Sequence, residues 1–280
     1  MSDDFLTPKE KLHAEFVKKI ARGLTRLNEN ESRQVKTWLN FESFTRCGKN
    51  SGACTWCTNC DEEHELKWCC SKKWCPLCNW KITEARREKL LTFTRGVHNP
   101  QHLVLTQRNF KHLDGKIREM KQNLVKLRRN RIWDSVKGGC TSIEMTNKGE
   151  GWHLHSHSLI DCRYISASEL AIEWGRLCGQ TFGIVHRDNI DSINYEKEIC
   201  KYVVKPSEMI KWRTSDVFEF LKEIHRQRFF FTFGTMKLFK PIKNARAQGK
   251  CETCHSEGFL EFLPELGMRI DSKIKFISRR

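Results

Sequence analysis

The stretch WHLHSHSLID at residues 152–161 decides how the rest of the sequence is interpreted. Side chains along a β-strand alternate between the two faces of a sheet, so His153, His155 and His157 point to the same side. Residues two positions apart on a strand are separated by about 7 Å, and two neutral imidazoles at that spacing can converge on one divalent ion. The stretch therefore predicts a strand that presents a metal site, with structural histidines as the alternative.

A second strand is predicted just before this stretch, at residues 139–145. The turn-forming segment TNKGEG at 146–151 joins the two strands, so together they are expected to form a β-hairpin. A carboxylate is needed to complete the shell of the ion, and Glu144 on the opposing strand is the natural donor. In the alternative interpretation, Glu144 faces solvent.

The segments around the hairpin carry patterns typical of helices and of buried strands. Helical patterns cover residues 8–40, 81–95, 113–136, 166–178 and 194–205, and strand patterns cover residues 102–106 and 184–190. This order of elements predicts an α+β fold in which helices flank an antiparallel sheet.

The charge of the chain indicates the class of its partner. Its 280 residues include 50 lysines and arginines against 34 aspartates and glutamates, which gives a formal net charge of +16. Such an excess is typical of proteins that bind nucleic acid, and a solvated basic surface is the alternative. No apolar run approaches the roughly eighteen residues of a membrane-spanning helix, so no membrane partner is expected. The amino terminus MSDDFLTPKE lacks the features of a signal peptide, which predicts a cytoplasmic protein.

A second set of reactive groups lies on the predicted helix at residues 194–205. Glu198 and Tyr202 are four residues apart and share a helix face, and Lys201 and Lys205 add ammonium groups nearby. A tyrosine oxygen can act as a covalent nucleophile, and adjacent cations stabilise charge on a phosphate under attack. Taken alone, these residues fit an ordinary amphipathic surface equally well.

Eight of the fourteen cysteines lie between residues 47 and 78. In a reducing compartment such cysteines are expected to bind metal rather than to form disulfides. Cys54-x2-Cys57, followed after seventeen residues by Cys75-x2-Cys78, has the spacing of a structural Zn²⁺ site with four thiolates. The cysteines that could replace one of these four, or hold a second zinc, are Cys47, Cys60, Cys69 and Cys70. Farther along, the pair Cys251 and Cys254 is only half a site.

Three motifs in a fixed order carry a family resemblance. They are residues 102–109 (HLVLTQRN), the hairpin from 138 to 161 with Glu144 and the histidines, and residues 198–205 (EICKYVVK). Over residues 69–240 the chain resembles the rolling-circle replication initiators of small bacterial plasmids. These initiators are HUH endonucleases, named for two histidines that flank a hydrophobic residue.

The resemblance implies both a fold and a reaction. The family folds as an antiparallel sheet flanked by helices, its histidines hold Mg²⁺ or Mn²⁺, and a helix tyrosine attacks one DNA strand at the replication origin. Attack leaves a 5′-phosphotyrosine and a free 3′-hydroxyl. Carried onto this chain, the ligands are His155 and His157, the nucleophile is Tyr202, and Glu198 activates water in termination. The implied partners are single-stranded or hairpin DNA at an origin, together with the host helicase and polymerase.

Two positions complicate this assignment. The residue between the two histidines is normally apolar in the family, whereas here it is Ser156, which we expect to weaken packing behind the site without loss of ligation. Tyr195 lies seven residues before Tyr202, on nearly the same helix face, and is a second candidate nucleophile. Tyr202 is favoured because the neighbouring lysine and the glutamate spacing both belong to it.

The predictions divide the chain into four parts. These are a helical N-terminal extension (1–46), a cysteine-rich zinc module (47–80), an HUH endonuclease domain (81–245) and a C-terminal tail with a C-x2-C pair (246–280). The function they favour is a replication initiator that nicks and religates single-stranded DNA. An HUH transposase or relaxase is the alternative within the enzymes, and a non-catalytic, zinc-dependent DNA-binding regulator is the alternative outside them.

Overall fold

Helices and strands follow one another along the computed structural model, which describes residues 6–57, 59–189, 205–238, 253–254, 256 and 260–262. The helices are α1 (Pro8–Leu24), α2 (Glu29–Leu39), α3 (Phe41–Thr45), α4 (Asn79–Arg95), α5 (Lys116–Leu127), α6 (Ala167–Leu177), α7 (Pro206–Met209) and α8 (Thr214–Ile224). The strands are β1 (Asn50–Cys57), β2 (Glu63–Lys67), β3 (Pro100–Thr106), β4 (Val136–Asn147), β5 (Trp152–Cys162), β6 (Ile184–Asn189), β7 (Phe230–Gly234) and β8 (Leu260–Phe262). Short 3₁₀ helices lie at Arg131–Trp133 and Thr235–Lys237.

Strand β5, which carries the histidines, is the middle strand of a five-stranded sheet. The strand order is β6-β3-β5-β4-β7, and every neighbouring pair is antiparallel. Strands β4 and β5 form the predicted hairpin, with Glu144 directly opposite His155. The prediction of an α+β fold with an antiparallel sheet flanked by helices is confirmed at this level.

The two faces of the sheet have different partners because side chains alternate along each strand. One face carries apolar residues of β3, β4 and β5 that share a core with helices α5 and α6. These are Leu103, Leu105, Ile143, Met145, Leu154 and Ile160. The opposite face carries the histidines, and helix α4 covers one end of it by packing Leu90 and Phe93 against Cys140 and Leu159. The sheet therefore has one fully buried face and one face that is only partly covered.

The N-terminal helices pack onto the same core as the sheet. Helix α1 begins at a capping box in which Thr7 and Glu10 satisfy each other's backbone N–H groups. Farther along the helix, the ring of Phe16 lies edge-on to Trp74, with 5.5 Å between the ring centroids. Lys19 Nζ donates to the carbonyl oxygen of Ile210 at 2.7 Å. Residues of the predicted N-terminal extension and of the cysteine-rich segment thus share the main core.

One predicted helix is shorter in the structure, and another lies almost entirely outside the described residues. The helix expected over residues 113–136 ends at Leu127, because Asn130 starts a new turn by accepting a hydrogen bond from Ile132 N–H. The helix expected over residues 194–205 lies outside the described residues, except for Lys205. Among the helices in the described part of the chain, none combines the length and the apolar character needed to cross a membrane.

Ser156 lies on the buried face of β5, directly behind the histidines. Its neighbours across the sheet are Leu105 and Ile143, and the side chain is fully buried. Its hydroxyl has no hydrogen-bond partner within the described part of the chain. By contrast, the hydroxyl of Ser158, two residues on, pairs with that of Thr141 at 2.8 Å.

The unpaired hydroxyl predicts an unusual result for Ser156→Ala. Because a buried polar group without a partner destabilises the folded state, its removal should raise the free energy of unfolding by about 1 kcal/mol. The matched control Ser158→Ala leaves the hydroxyl of Thr141 without its hydrogen-bond partner. It should lower the free energy of unfolding by about 1–2 kcal/mol. Urea denaturation of both variants measures the difference. A loss of stability in Ser156→Ala would contradict the assignment.

Candidate functional site

Glu144, His155 and His157 meet on the partly covered face of the sheet. The carboxylate oxygen Oε2 of Glu144 is 3.1 Å from Nε2 of His155 and 3.1 Å from Nε2 of His157. Glu144 and His157 are buried, and the side chain of His155 is 18% exposed. All three ligand atoms lie within 4.8 Å of one another. The structure thus brings together the three residues that the sequence predicted as ligands of one ion.

The electrostatics of the cluster keep the carboxylate charged. Burial alone raises the pKa of Glu144, but its hydrogen bonds to His155 and His157 and the attraction of the two rings outweigh this effect and lower the pKa to about 2. Glu144 is therefore ionised at neutral pH and offers a negative oxygen between two imidazole nitrogens. This donor set suits a divalent cation of the hard or intermediate kind.

The distances within the cluster fit an octahedral ion. Adjacent ligands of an ion with bonds of about 2.1 Å at right angles are about 3.0 Å apart. The two N–O separations of 3.1 Å agree with that value. His155, His157 and Glu144 therefore have separations suited to three ligands of one divalent ion.

A fourth histidine supports the cluster, and the sequence analysis missed it. Nε2 of His102 on β3 lies 3.3 Å from Nδ1 of His157, and the two rings are stacked. A histidine that binds a metal through Nε2 donates its Nδ1–H to a neighbour, which fixes the ring orientation. His102 is the acceptor for His157 in that arrangement. Only the register of β3 against β5 could have revealed this contact.

His153 has a different environment from the other two histidines of β5. Its Nδ1 lies 2.7 Å from the amide oxygen of Asn109, and it is not part of the cluster of three ligands. Burial, followed by the charges of His155 and Lys148, lowers the pKa of His153, so the ring is neutral at pH 7. Of the three alternate histidines, therefore, two converge on Glu144 and one does not.

Four buried thiols form a second candidate metal site. The Sγ atoms of Cys47, Cys70, Cys75 and Cys78 lie within 4.8 Å of one another. Cys47 and Cys75 are 3.7 Å apart, as are Cys70 and Cys78. Two Zn–S bonds of about 2.3 Å at the tetrahedral angle place their sulfurs about 3.8 Å apart, so these two separations fit zinc. The sulfurs of Cys47 and Cys78 lie closer, at 3.3 Å. The hydrogen bonds of the neighbouring thiols lower the pKa of Cys78 and raise that of Cys70.

This set differs from the four cysteines predicted by spacing. Cys75 and Cys78 belong to it, whereas Cys57 lies with Cys60 and Cys254 in a separate thiol cluster. Cys54 lies in strand β1, and its side chain is outside the described part of the chain. The spacing rule could not find Cys47, because backbone hydrogen bonds between Gly48 and Trp68 and between Trp68 and Lys49, rather than a C-x2-C turn, bring its segment next to Cys70.

The predicted catalytic helix is largely outside the described residues. The residues of this helix outside the described part of the chain include Glu198, Lys201, Tyr202 and the alternative nucleophile Tyr195. Cys251, from the C-terminal C-x2-C pair, is also outside it. Lys205 is described: it precedes helix α7, and its Nζ is 3.8 Å from a carboxylate oxygen of Glu208. The assignment of a nucleophile therefore rests on the sequence pattern.

Edge strand β7 carries a row of aromatic rings that lie beneath cations. Phe230 is opposite Ser142 of β4 and so shares the face of the metal cluster. The guanidinium of Arg86 lies 5.1 Å from the centre of its ring. On the other face, Lys121 lies over Phe231 at 5.8 Å and Arg128 over Phe233 at 5.1 Å. Alternating rings and cations are typical of surfaces that bind single-stranded nucleic acid.

The ligand assignment predicts how Mn²⁺ affinity responds to substitution. Glu144→Gln removes the only charge among the three ligands, and it should weaken binding by at least about tenfold, as should His157→Ala. His153→Ala is the matched control and should keep the affinity of the unaltered chain. Isothermal titration with Mn²⁺ measures all three variants. Equal losses at His153 and His157 would place the ion elsewhere.

The four-thiol site predicts opposite results for two adjacent cysteines. Cys70 is buried among the ligands, whereas Cys69 is exposed even though its sulfur lies 3.3 Å from that of Cys78. Cys70→Ser should therefore abolish the absorption of a tetrahedral Co²⁺ thiolate at this site, and Cys69→Ser should retain it. The reverse pattern would show that Cys69 is the ligand.

Comparison of the chain with protein-family models finds no match, and comparisons with curated proteins and with solved structures find none either. The resemblance to the HUH endonucleases therefore stays a prediction from three motifs. One of these motifs, the hairpin with Glu144, His155 and His157, has a geometry suited to a divalent ion. The function has to be argued from that geometry and from the charge around it.

Proposed function

We propose that the protein is a rolling-circle replication initiator that nicks and religates single-stranded DNA at an origin. The observation that carries the proposal is the convergence of Glu144, His155 and His157 on two paired strands of an antiparallel sheet. It gives the chain, whose formal net charge is +16, a candidate site for a hard divalent ion. Metal-assisted phosphoryl transfer is the chemistry that best uses both features.

Glu144, His155 and His157 are proposed to bind a divalent cation and fix its position. These three residues would hold Mg²⁺ or Mn²⁺, which when bound would polarise the scissile phosphate and stabilise the negative charge that develops on it. Glu144 offsets part of the charge of that ion, and His102 orients His157 through its ring nitrogen. Because β4 and β5 are both interior strands of the sheet, the ligands would be held more rigidly than on a loop.

The DNA strand is proposed to pass along edge strand β7. Phe230 and Arg86 share the sheet face of the metal cluster, so a base stacked on that ring keeps its backbone close to the ion. Lys121 and Arg128 continue the row of cations around the edge of the sheet. Stacking and phosphate contacts of this kind are tolerant of sequence, as binding of unpaired DNA requires.

Tyr202 is the proposed nucleophile. Its oxygen attacks the scissile phosphorus, the P–O3′ bond breaks, and the 3′ oxygen leaves and takes up a proton while the phenol loses one. The product is a 5′-phosphotyrosine, and Lys201 and Lys205 supply nearby positive charge for the phosphate. Glu198 is proposed to activate water in termination, where hydrolysis of the phosphotyrosine releases the enzyme.

The thiols Cys47, Cys70, Cys75 and Cys78 are proposed to bind a structural Zn²⁺. They belong to the same core as Phe16, Phe44 and Trp74, so the ion would fix the N-terminal helices against the sheet. The same thiols favour the main competing function, a zinc-dependent DNA-binding regulator without catalysis. An HUH transposase or relaxase would share the nicking chemistry and differ only in its DNA substrate.

The nicking function predicts a covalent adduct on one tyrosine. The zinc-loaded chain is incubated with Mn²⁺ and a degenerate pool of single-stranded oligonucleotides that carry a label at the 3′ end. A nickase retains the label covalently after denaturation, and tryptic digestion should place the nucleotide on the peptide that begins at Tyr202. An adduct on the peptide containing Tyr195 would move the nucleophile to that residue.

The chain has three tyrosines, which provides a matched series of variants. Tyr202→Phe should lose the labelled adduct, and Tyr164→Phe, at an exposed position on the described part of the chain, should keep it. His157→Ala should lose the adduct while it retains zinc. If DNA binding is measurable and no adduct forms with Mn²⁺ or Mg²⁺, the non-catalytic regulator is the correct function.

A further inference from the structure

A second group of thiols lies outside the sites assigned so far, at the end of strand β1. The Sγ atoms of Cys57, Cys60 and Cys254 all lie within 4.8 Å of one another. Those of Cys57 and Cys254 are 3.7 Å apart although the two residues are separated by 197 positions. Two neighbouring thiols and one from a distant part of the chain therefore lie close together.

The turn after β1 brings the first two thiols together. The backbone N–H of Cys57 donates to the carbonyl oxygen of Glu62, and that of Asp61 donates to the carbonyl oxygen of Cys57, both at 2.9 Å. Asp61 has a φ of 56°, in the left-handed region, which lets the chain reverse direction immediately after Cys60. In structural zinc sites, two of the ligands are usually the cysteines of a C-x2-C pair in a tight turn.

The third thiol is held by a different strand pair. Strand β8 runs antiparallel to β1, with Leu260 opposite Cys57 and Phe262 opposite Thr55. The segment before β8 carries Cys254 to the β1 turn, where the side-chain amide of Asn59 donates to its sulfur at 3.5 Å. Hydrogen bonds from outer groups of this kind orient metal-binding thiolates.

We propose that Cys57, Cys60 and Cys254 bind a second structural Zn²⁺, which fastens the C-terminal segment to strand β1. The sulfur separation of 3.7 Å fits two Zn–S bonds of about 2.3 Å at the tetrahedral angle. Thiolates select zinc over hard cations such as Mg²⁺, so this site does not compete for the ion at Glu144. A disulfide between Cys57 and Cys254 is the alternative, and it would leave Cys60 without a role.

The zinc content of the purified full-length chain tests the proposal. Elemental analysis should find two zinc ions per chain, and both Cys60→Ser and Cys254→Ser should reduce the count to one. Cys178→Ser is the matched control, because this half-buried thiol belongs to neither cluster, and it should keep two ions. One ion in the unaltered chain, with no change in Cys254→Ser, overturns the proposal. An intact mass about 2 Da lower, with the thiols blocked, identifies the disulfide instead.

Two further measurements guard against variants that misfold. Co²⁺ titration of the metal-free, unaltered chain should show tetrahedral thiolate absorption up to two equivalents, and saturation at one equivalent counts against the second site. Chelation of the weaker ion should increase amide hydrogen exchange at residues 260–262 of β8 and leave β3 unchanged. Neither readout depends on nicking activity, so the second zinc stands or falls separately from the proposed function.

Discussion

The register between strands β4 and β5 is the constraint on which the functional face depends. Glu144 on β4 is directly opposite His155 on β5. His157, two residues farther along β5, points to the same side of the sheet and contacts the same carboxylate oxygen, Oε2 of Glu144. A slip of one residue would turn Glu144 toward the apolar core and leave both imidazoles without an anion. The apolar side chains on the other face of β4 oppose that slip, since it would remove Ile143 and Met145 from the core. Core packing therefore sets the geometry of the candidate site.

The parts of this arrangement that depend on local periodicity could be predicted from the sequence. The hairpin, its turn and the shared face of Glu144 and the histidines all follow from the alternation of side chains over residues 136–162. The contact between His102 and His157 could not be predicted, because it depends on which strand pairs with the far edge of β5. Nor could periodicity distinguish His153, whose neighbour Asn109 comes from the loop after β3.

The thiols show the limits of prediction by spacing more clearly. A C-x2-C pair predicts that two cysteines lie close enough to share an ion, and the sulfurs of Cys75 and Cys78 do lie in one cluster, as do those of Cys57 and Cys60. It does not say which pairs combine, since that depends on how the chain between them folds. Strand β1 carries Cys57 away from the buried cluster, and the return of β2 brings Cys70 into it. Each cluster therefore joins a C-x2-C pair to thiols that are distant in sequence, and spacing alone leaves the choice of those partners and the number of sites open.

Part of the basic surface carries unfavourable electrostatic repulsion, which a bound polyanion would reduce. Lys73 and Lys121 both lie over the ring of Phe229, and both contact oxygens of Gln227. Burial and, to a smaller extent, nearby positive groups together lower the pKa of each to about 8; these groups are Arg86 and Arg228 for Lys73, and Lys73 for Lys121. Holding these ammonium groups together costs free energy in the isolated protein, because amide and carbonyl oxygens offset only part of their charge. A phosphate backbone along β7 would remove the repulsion and raise both pKa values. The charge that weakens the free protein is in this way the charge that would hold a single strand along the edge of the sheet.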